Sequence, residues 1–227
     1  VISGGKWVDD ALFDARSMPA PVGYHSIKLD KVEPSLFRVP ASGPTGPVIG
    51  LREGQVLTDF LTLTLPYRNG ERLVDLDNDV IKVCVLERHG KRRTVGRGFV
   101  KGLKLPRGAI ASSIGHDSHN ICVVGASDSD MALAVNRLID LGGGFVLADN
   151  GAIAAEMALP LAGLMSDKDF RTVAREISAL RHAVRALGCP LAEPFLQMAF
   201  LPLPVIPHLK ITDLGLVDVD KFELVAA

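Results

Sequence analysis

The stretch GAIASSIGHDSHNICVVGASDSD, residues 108–130, places a short polar cluster between two apolar, strand-like segments. The segment GAIASSI precedes His116, Asp117 and His119, and the segment NICVVGA follows them. Polar groups are costly to bury without partners, so this cluster is either a tight turn in water or a set of groups directed at a ligand or a neighbouring domain. The sequence therefore predicts two strands joined by a polar tip, residues 116–119, which we call the HDSH tip.

Two helices are predicted after this pair of strands. Ser127 can cap the first helix, with Asp130 three residues later, and Gly142 ends it. The second helix is predicted to begin at Ser166, with Asp169 three residues later, and to end at a Gly-Cys-Pro sequence. Its apolar residues recur at steps of three and four, which predicts one face packed on a sheet: Phe170, Val173, Ile177, Leu180, Val184 and Leu187.

Strands dominate the region from residue 48 to the HDSH tip. Asn-Gly at 69–70 and at 150–151 predicts two tight hairpins. The apolar tail, residues 194–225, contains several prolines, which predicts irregular or edge structure before a last short strand. Six to nine strands with two main helices predict an α+β fold of mostly antiparallel sheets.

The N-terminal part differs from the rest of the chain in its sequence pattern and composition. VISGGKWV, residues 1–8, has two short apolar arms around a Gly-Gly turn, and a lone two-stranded hairpin is marginal in water. Residues 14–48 are rich in Pro, Ser and Gly, which is typical of an extended connector. We therefore expect residues 1–47 to be the end of a small composite β-domain plus a connector, and residues 48–227 to be an α+β domain. Because the hairpin would need further strands, we also expect the chain to be the C-terminal part of a longer protein.

Composition excludes several classes of function. Hydrophobic residues make up 48% of the chain, so a sizeable core can form. The 25 Lys and Arg residues nearly balance the 26 Asp and Glu residues, which argues against nucleic acid or an anionic membrane as partner. No apolar run reaches the roughly 18 residues of a membrane span. Three isolated cysteines in apolar contexts predict buried thiols in a reducing compartment, and we expect a cytoplasmic protein: Cys84, Cys122 and Cys189.

Three interpretations of the HDSH tip remain open from its residues alone. The first is a metal site, but a zinc site needs three or four ligands and the other histidines have no paired spacing that would complete one. The second is a polar turn whose Asp117 and Ser118 hydrogen-bond their own backbone. The third is a lining for the pocket of another domain. On a strand, the spacing would point His116 and His119 to opposite faces.

A second polar group, Glu87, Arg88 and His89, follows an apolar strand and precedes a basic run. It is either a solvated hairpin loop or part of a site. GRGFVKG, residues 96–102, is rich in glycine but matches neither phosphate-binding pattern G-x-x-x-x-G-K-[ST] nor G-x-G-x-x-G. No G-x-S-x-G or H-E-x-x-H motif occurs, so the chain has no complete active site of its own.

Taken together, several segments closely resemble the C-terminal domain of bacterial adenine deaminases in the amidohydrolase superfamily. The resemblance covers nearly all of the chain from about Gly50. VISGGKWV resembles the returning strands of the small composite sheet that flanks the barrel in such enzymes. The other matching segments are VIKVCVLERHG, residues 98–151 (GFVKGLKL through GGGFVLADNG), LPLAGLMSD and FLPLPVIPHLKITDLGLVDV.

This resemblance implies a purine-base deaminase in which a metal-activated hydroxide attacks C6 of adenine, giving hypoxanthine and ammonia in purine salvage. It implies an upstream (β/α)8 barrel that holds a binuclear manganese or iron centre, with adenine as substrate and a homo-oligomeric assembly. In the family the metal ligands begin with an H-x-H pair. No H-x-H pair occurs in residues 1–227, so these ligands cannot be assigned here and no metal is expected in this chain.

The family's sequence motifs can be matched to this chain at its polar residues. Barrel enzymes hold their sites in loops at the carboxyl ends of the strands, and an appended domain can cover that opening. We therefore predict that the HDSH tip faces the deaminase site, with the alternative of a purely structural or interface domain. The candidates for catalytic, pocket-lining residues are His116, Asp117 and His119, and the substrate-binding candidates are Glu87, Arg88, His89 and Lys101.

Overall fold

A computed structural model of the chain describes residues 1–15, 17 and 20–227. The helices are α1 (Asp10–Asp14), α2 (Asp128–Leu141), α3 (Phe170–Leu187) and α4 (Pro194–Ala199), with short 3₁₀ helices at Pro34–Phe37 and Leu76–Asn78. The strands are β1 (Ile2–Ser3), β2 (Lys6–Trp7), β3 (Val39–Pro40), β4 (Thr45–Leu51), β5 (Thr58–Thr64), β6 (Tyr67–Arg68), β7 (Glu71–Arg72), β8 (Val80–Leu86), β9 (Val95–Lys101), β10 (Ala109–Ser112), β11 (Ile121–Gly125), β12 (Gly144–Asp149), β13 (Ala152–Ala158), β14 (Leu209–Thr212), β15 (Gly215–Asp218) and β16 (Glu223–Val225).

An eight-stranded sheet in the order β13-β12-β10-β11-β8-β9-β4-β5 forms the centre of the fold. Its neighbouring strands are antiparallel except β4 and β9, which are parallel. The predicted α+β class is confirmed. The predicted number of strands was too low, because sixteen are present in the described part of the chain. Several of the extra strands have only two residues, too few for a period-two pattern to be recognised.

Both faces of the central sheet are covered, and strand β8 shows why its sequence is almost continuously apolar. Ile81, Val83 and Val85 point into the core beneath α3 and α4. Cys84 and Leu86 point into the opposite core beneath α2. A strand buried on both faces does not alternate apolar and polar residues. Strand β11 pairs with β8 and β10 pairs with β11, and both are buried along their whole length, so the HDSH tip projects from the middle of the sheet.

The two long helices begin at different kinds of cap. For α2 the prediction is confirmed: the Ser127 side chain accepts from the Asp130 amide, and Gly142 ends the helix in a left-handed conformation. For α3 the predicted start at Ser166 was wrong. The N-cap is Asp169, whose carboxylate accepts from the amides of the second and third helical residues. Ser166 instead accepts from the Lys168 amide in the preceding turn.

Both Asn-Gly hairpins are confirmed, although one joins different strands from those expected. Asn150 and Gly151 have positive φ values of 50° and 77° and connect β12 to β13. Asn69 and Gly70 connect β6 to β7, which form a separate three-stranded sheet with β3. The preceding alternating strand β5 pairs with β4 at the edge of the central sheet instead.

The tail forms more regular structure than its prolines suggested. Pro194 occupies the first turn of α4, where a missing N–H breaks no helical hydrogen bond. The last residues build the sheet β14-β15-β16, in place of a single short strand. The other prolines of the tail lie outside those strands, in the segment that connects α4 to β14.

The N-terminal hairpin is confirmed as β1 paired with β2, and Trp7 on its second arm is 73% exposed. That further strands pair with it stays a prediction. Arg16, Met18 and Pro19 of the predicted connector lie outside the described residues. Later in the connector, Phe37 and Val39 are fully buried against the cores. Strand β4 already begins at Thr45, slightly before the predicted boundary at residue 48.

Candidate functional site at one end of the central sheet

The HDSH tip forms the turn between β10 and β11, so the side chains do not alternate as they would on a strand. His119 has a positive φ of 50°, and its amide donates to the Gly115 carbonyl at 2.7 Å. The turn brings the His116 and His119 rings to the same side, with centroids 6.4 Å apart. The two histidines are therefore neighbours.

His116 is held from three directions. Its Nδ1 lies 2.5 Å from Asp117 Oδ1, and its ring stacks on Phe200 with centroids 5.8 Å apart and an interplanar angle of 17°. Its amide donates to the Ala199 carbonyl at 2.9 Å. A carboxylate that accepts from Nδ1–H fixes the tautomer with a free Nε2 acceptor in the neutral ring. The imidazole side chain is 55% exposed, so Nε2 can meet a group outside this domain.

His119 is less exposed than His116, and its environment favours the neutral ring. Burial, followed by the positive charge of Arg88, lowers the pKa of His119 below its usual value. Its Nδ1 is buried and has no hydrogen-bond partner among the described residues. A neutral imidazole next to a polar turn can accept or donate one hydrogen bond without carrying charge.

Arg88 fixes the base of the tip from inside the fold. Its residue surface is only 2% exposed. Its Nε donates to the His119 carbonyl, its Nη1 donates to Ser26 Oγ at 3.0 Å and its Nη2 donates to the Ala162 carbonyl at 3.0 Å. All three nitrogen atoms of the guanidinium are thus used within the domain. Arg88 supports the tip and does not point away from it.

Glu87 organises the loop between β8 and β9. Its carboxylate accepts from the His89 amide at 2.7 Å and from the next amides of the basic run, which belong to Lys91, Arg92 and Arg93. Burial by itself raises the pKa of Glu87, but these four N–H groups outweigh it and lower the pKa overall. The buried carboxylate therefore hydrogen-bonds within its own loop, whereas the sequence predicted either a solvated loop or part of a site.

His89 contacts the tip, whereas Lys101 does not. His89 Nε2 lies 2.9 Å from the Ser118 carbonyl. Lys101 is at the opposite end of β9, and its Nζ donates to the Asn78 carbonyl. Six residue steps separate Lys101 from the tip end of that strand, a distance of about 20 Å. Lys101 therefore does not share a site with the other candidates.

Other residues at this end of the sheet were not singled out from the sequence. Asn120 is 3% exposed; its Oδ1 accepts from the Arg88 amide at 3.3 Å and its Nδ2 donates to Asp213 Oδ1 at 3.1 Å. Asp213 Oδ2 in turn accepts from Thr94 Oγ1 at 2.5 Å. Asp213 lies between β14 and β15, far away in the chain, so no local pattern could have identified it. Phe200 was likewise visible only as one apolar residue in the tail.

Comparison with known proteins identifies the domain. A family model described as the adenine deaminase C-terminal domain matches residues 55–223. The chain belongs to the adenine deaminase C-terminal domain family. It is 55% identical over 225 residues to adenine deaminase 1 of Agrobacterium fabrum, covering 99% of this chain and 39% of that protein. It is 57% identical to adenine deaminase of Methylobacterium nodulans and 54% identical to that of Gluconobacter oxydans, covering 99% of this chain and 40% of each relative.

The chain thus spans about two fifths of the length of these curated relatives. Within residues 1–15, 17 and 20–227 of this adenine deaminase C-terminal domain, no three His, Cys, Asp or Glu side chains come together in a way that could hold a metal ion. The family resemblance implies a metal centre in an upstream barrel, and none of these residues is assigned as a ligand of it. In the described part of the chain, none of the helices has the length and apolar character needed to cross a bilayer.

Proposed function

We propose that this chain is the C-terminal part of a metal-dependent adenine deaminase, which converts adenine and water to hypoxanthine and ammonia, and that its HDSH tip lies at the opening of the active site of an upstream barrel. The observation that supports the proposal is the pairing of His116 with Asp117 on an exposed turn of a domain whose relatives, above half identity, are named adenine deaminase. A binuclear manganese or iron centre in the barrel would supply the activated water.

In this proposal His116 acts through its free Nε2. Because Asp117 holds the proton on Nδ1, Nε2 can accept a hydrogen bond from the exocyclic amine of adenine or from the departing ammonia. The His119 ring lies beside His116 and, because it is neutral, adds no positive charge near the leaving amine. An appended domain over the opening would also exclude bulk water from the site.

The residues beneath the tip have a supporting role in the proposed site. Arg88 holds the His119 carbonyl, and Glu87 holds the loop from which His89 contacts the Ser118 carbonyl. Of the substrate-binding candidates, His89 is the one whose exposed ring lies at the tip itself. Lys101 is left out of the proposed site because of its distance from the tip.

The test is substitution of tip histidines in the full-length enzyme, with a matched control. We expect His116→Asn and His119→Asn to lower kcat/KM for adenine by about tenfold or more, since a positioned hydrogen-bonding group typically contributes at least that much. The control is His182→Asn, which should leave turnover unchanged because His182 is exposed on α3 and its ring hydrogen-bonds to the Ser178 carbonyl of the same helix. Thermal unfolding measured on each variant separates lost chemistry from lost stability.

A purely structural domain is the second candidate, favoured by one observation. Glu87, Arg88 and Asn120 satisfy their hydrogen bonds almost entirely within the domain. If both tip variants kept wild-type turnover while their unfolding temperatures dropped, the domain would fill an interface with the barrel or with a second subunit and take no part in the site.

A further inference from the structure

Lys210 is a fully buried lysine whose partners are backbone carbonyls. It lies on β14 with no exposed surface. Its Nζ donates to the Val56 carbonyl at 2.7 Å and to the Phe200 carbonyl at 3.1 Å. None of the ion pairs among the described residues includes it. Burial accordingly lowers the pKa of Lys210 to about 8.

The placement of this amine is unfavourable on grounds of solvation. A buried charge without a counter-charge destabilises a fold unless hydrogen bonds compensate for the water that it loses. An apolar side chain of similar length would fill the same space without that penalty. Because an apolar residue would avoid this penalty, we look for the role of Lys210 in the two backbone carbonyls that its amine binds.

One of these carbonyls, that of Phe200, belongs to backbone next to the HDSH tip. Phe200 ends α4, its ring stacks on His116, and the neighbouring Ala199 carbonyl accepts from the His116 amide. On the other side, Val56 lies in the loop that leads into β5 and lines an apolar hollow of about 240 Å³ together with Phe200. Nζ of Lys210 thus joins the two backbone segments that form the walls of this hollow, one of which supports His116.

We propose that Lys210 is a positioning residue for His116: its Nζ fixes the end of α4, and the end of α4 fixes the imidazole. The Ile211 amide, which donates to the Leu201 carbonyl at 3.2 Å, anchors the same segment to β14 from the adjacent residue. The effect on turnover rests on the proposed function, whereas the effect on the His116 ring does not.

The chain offers a matched control in Lys82. This residue is 4% exposed and also lies in the sheet, but its Nζ binds Glu71 Oε1 at 3.2 Å and Asp128 Oδ1 at 2.7 Å on the α2 side. Lys210→Met and Lys82→Met each remove one buried ammonium and retain a long apolar side chain. Only the first removes contacts to the backbone that supports the tip.

The direct test is the nuclear magnetic resonance signal of the His116 ring in the 227-residue chain. We expect Lys210→Met to shift or broaden the Hε1 resonance of His116, because the Phe200 ring beside it moves, while Lys82→Met leaves that resonance in place. Lys210→Gln retains an N–H donor and should give a smaller shift, and it replaces Lys210→Met if that variant does not fold. A His116 signal that stays unchanged in folded Lys210 variants, or that shifts equally in Lys82→Met, would overturn the proposal.

Kinetics of the full-length enzyme give the second readout. Lys210→Met should lower kcat/KM about tenfold, since a small displacement of a positioned group has effects of that order or larger. Combined with His116→Asn it should lower kcat/KM no further than His116→Asn alone, because both changes act on one group. Additive losses would overturn the proposal. Wild-type turnover in His116→Asn would instead count against the proposed function and leave the resonance test of Lys210 decisive.

Discussion

At the scale of single residues, the polar side chains beneath the tip are directed inward, whereas those of His116 and Asp117 on the tip face outward. Arg88 is 2% exposed and Glu87 is 6% exposed, although both stand in a stretch that reads as a charged surface loop. The Asp117 side chain is 77% exposed. Buried polar groups that are fully hydrogen-bonded rigidify their surroundings. The basic loop between β8 and β9 therefore supports the turn that forms the HDSH tip.

Replacing Glu87 should test how far one carboxylate organises that loop. We expect Glu87→Ala to lower the free energy of unfolding by about 1 to 3 kcal/mol, because four amides lose their acceptor. Urea denaturation measures the change. Glu53→Ala, at an exposed loop position, serves as the control and should change stability far less. Equal losses in the two variants would mean that the loop does not depend on Glu87.

His119 should make stability depend on pH in a specific direction. Burial, followed by the charge of Arg88, lowers its pKa below 6.5 in the folded state, so the unfolded chain binds a proton first as the pH falls. The contribution of His119 to the free energy of unfolding is complete above the pKa that His119 has in the unfolded chain. It is lost as the pH decreases towards the lower pKa that His119 has in the folded chain.

We therefore expect the wild-type chain to lose more stability than His119→Asn between about pH 7.5 and about pH 5.5, as measured by urea denaturation. The difference between the two proteins isolates His119 from the carboxylates, whose lowered pKa values act at more acidic pH. Identical pH profiles would show that the ring titrates normally in the fold.

At the scale of elements, α3 shows how a capping signal can be misplaced. Both Ser166 and Asp169 are suitable caps, and the choice depends on which residue the backbone allows to accept from the first turn. Asp169 accepts from Arg171 and Thr172, and its φ of −63° with ψ of 156° is extended. The serine lies in a separate turn that closes before the helix begins.

The two candidate caps can be compared directly. Asp169→Ala should lower the free energy of unfolding by about 1 kcal/mol, the usual effect of removing an N-cap, and should reduce the helical signal in circular dichroism. Ser166→Ala should have less than half of that effect. If the serine variant were the more destabilised, α3 would begin earlier in solution than at Phe170.

At the scale of the whole molecule, the domain has a central sheet with helices on both faces, and the described residues contain no cluster that could hold a metal ion. The three cysteines lie inside these cores, as predicted, and burial raises the pKa of Cys84 and Cys122 to about 12. A thiol that is buried and protonated is a poor nucleophile.

If the metal site lies in an upstream barrel, as proposed, the 227-residue chain alone should have no adenine deaminase activity. Purified 227-residue chain supplied with manganese or iron should release no ammonia from adenine above a blank, since it has no H-x-H pair. Folding is verified by circular dichroism, and the full-length enzyme under the same conditions is the positive control. Ammonia release by the folded fragment would require a complete site within these residues.

The sequence by itself determined the α+β class, the hairpins at 69–70 and 150–151, the bounds of α2 and the family, because each depends on neighbouring residues or on their order along the chain. It did not determine the start of α3, the sheet β14-β15-β16 or the partners of the HDSH tip. Those depend on contacts between residues far apart in the chain, such as Asn120 with Asp213 and Lys210 with Val56. Local patterns report which groups are polar, whereas burial and distant partners decide which of them support the fold and which face outward.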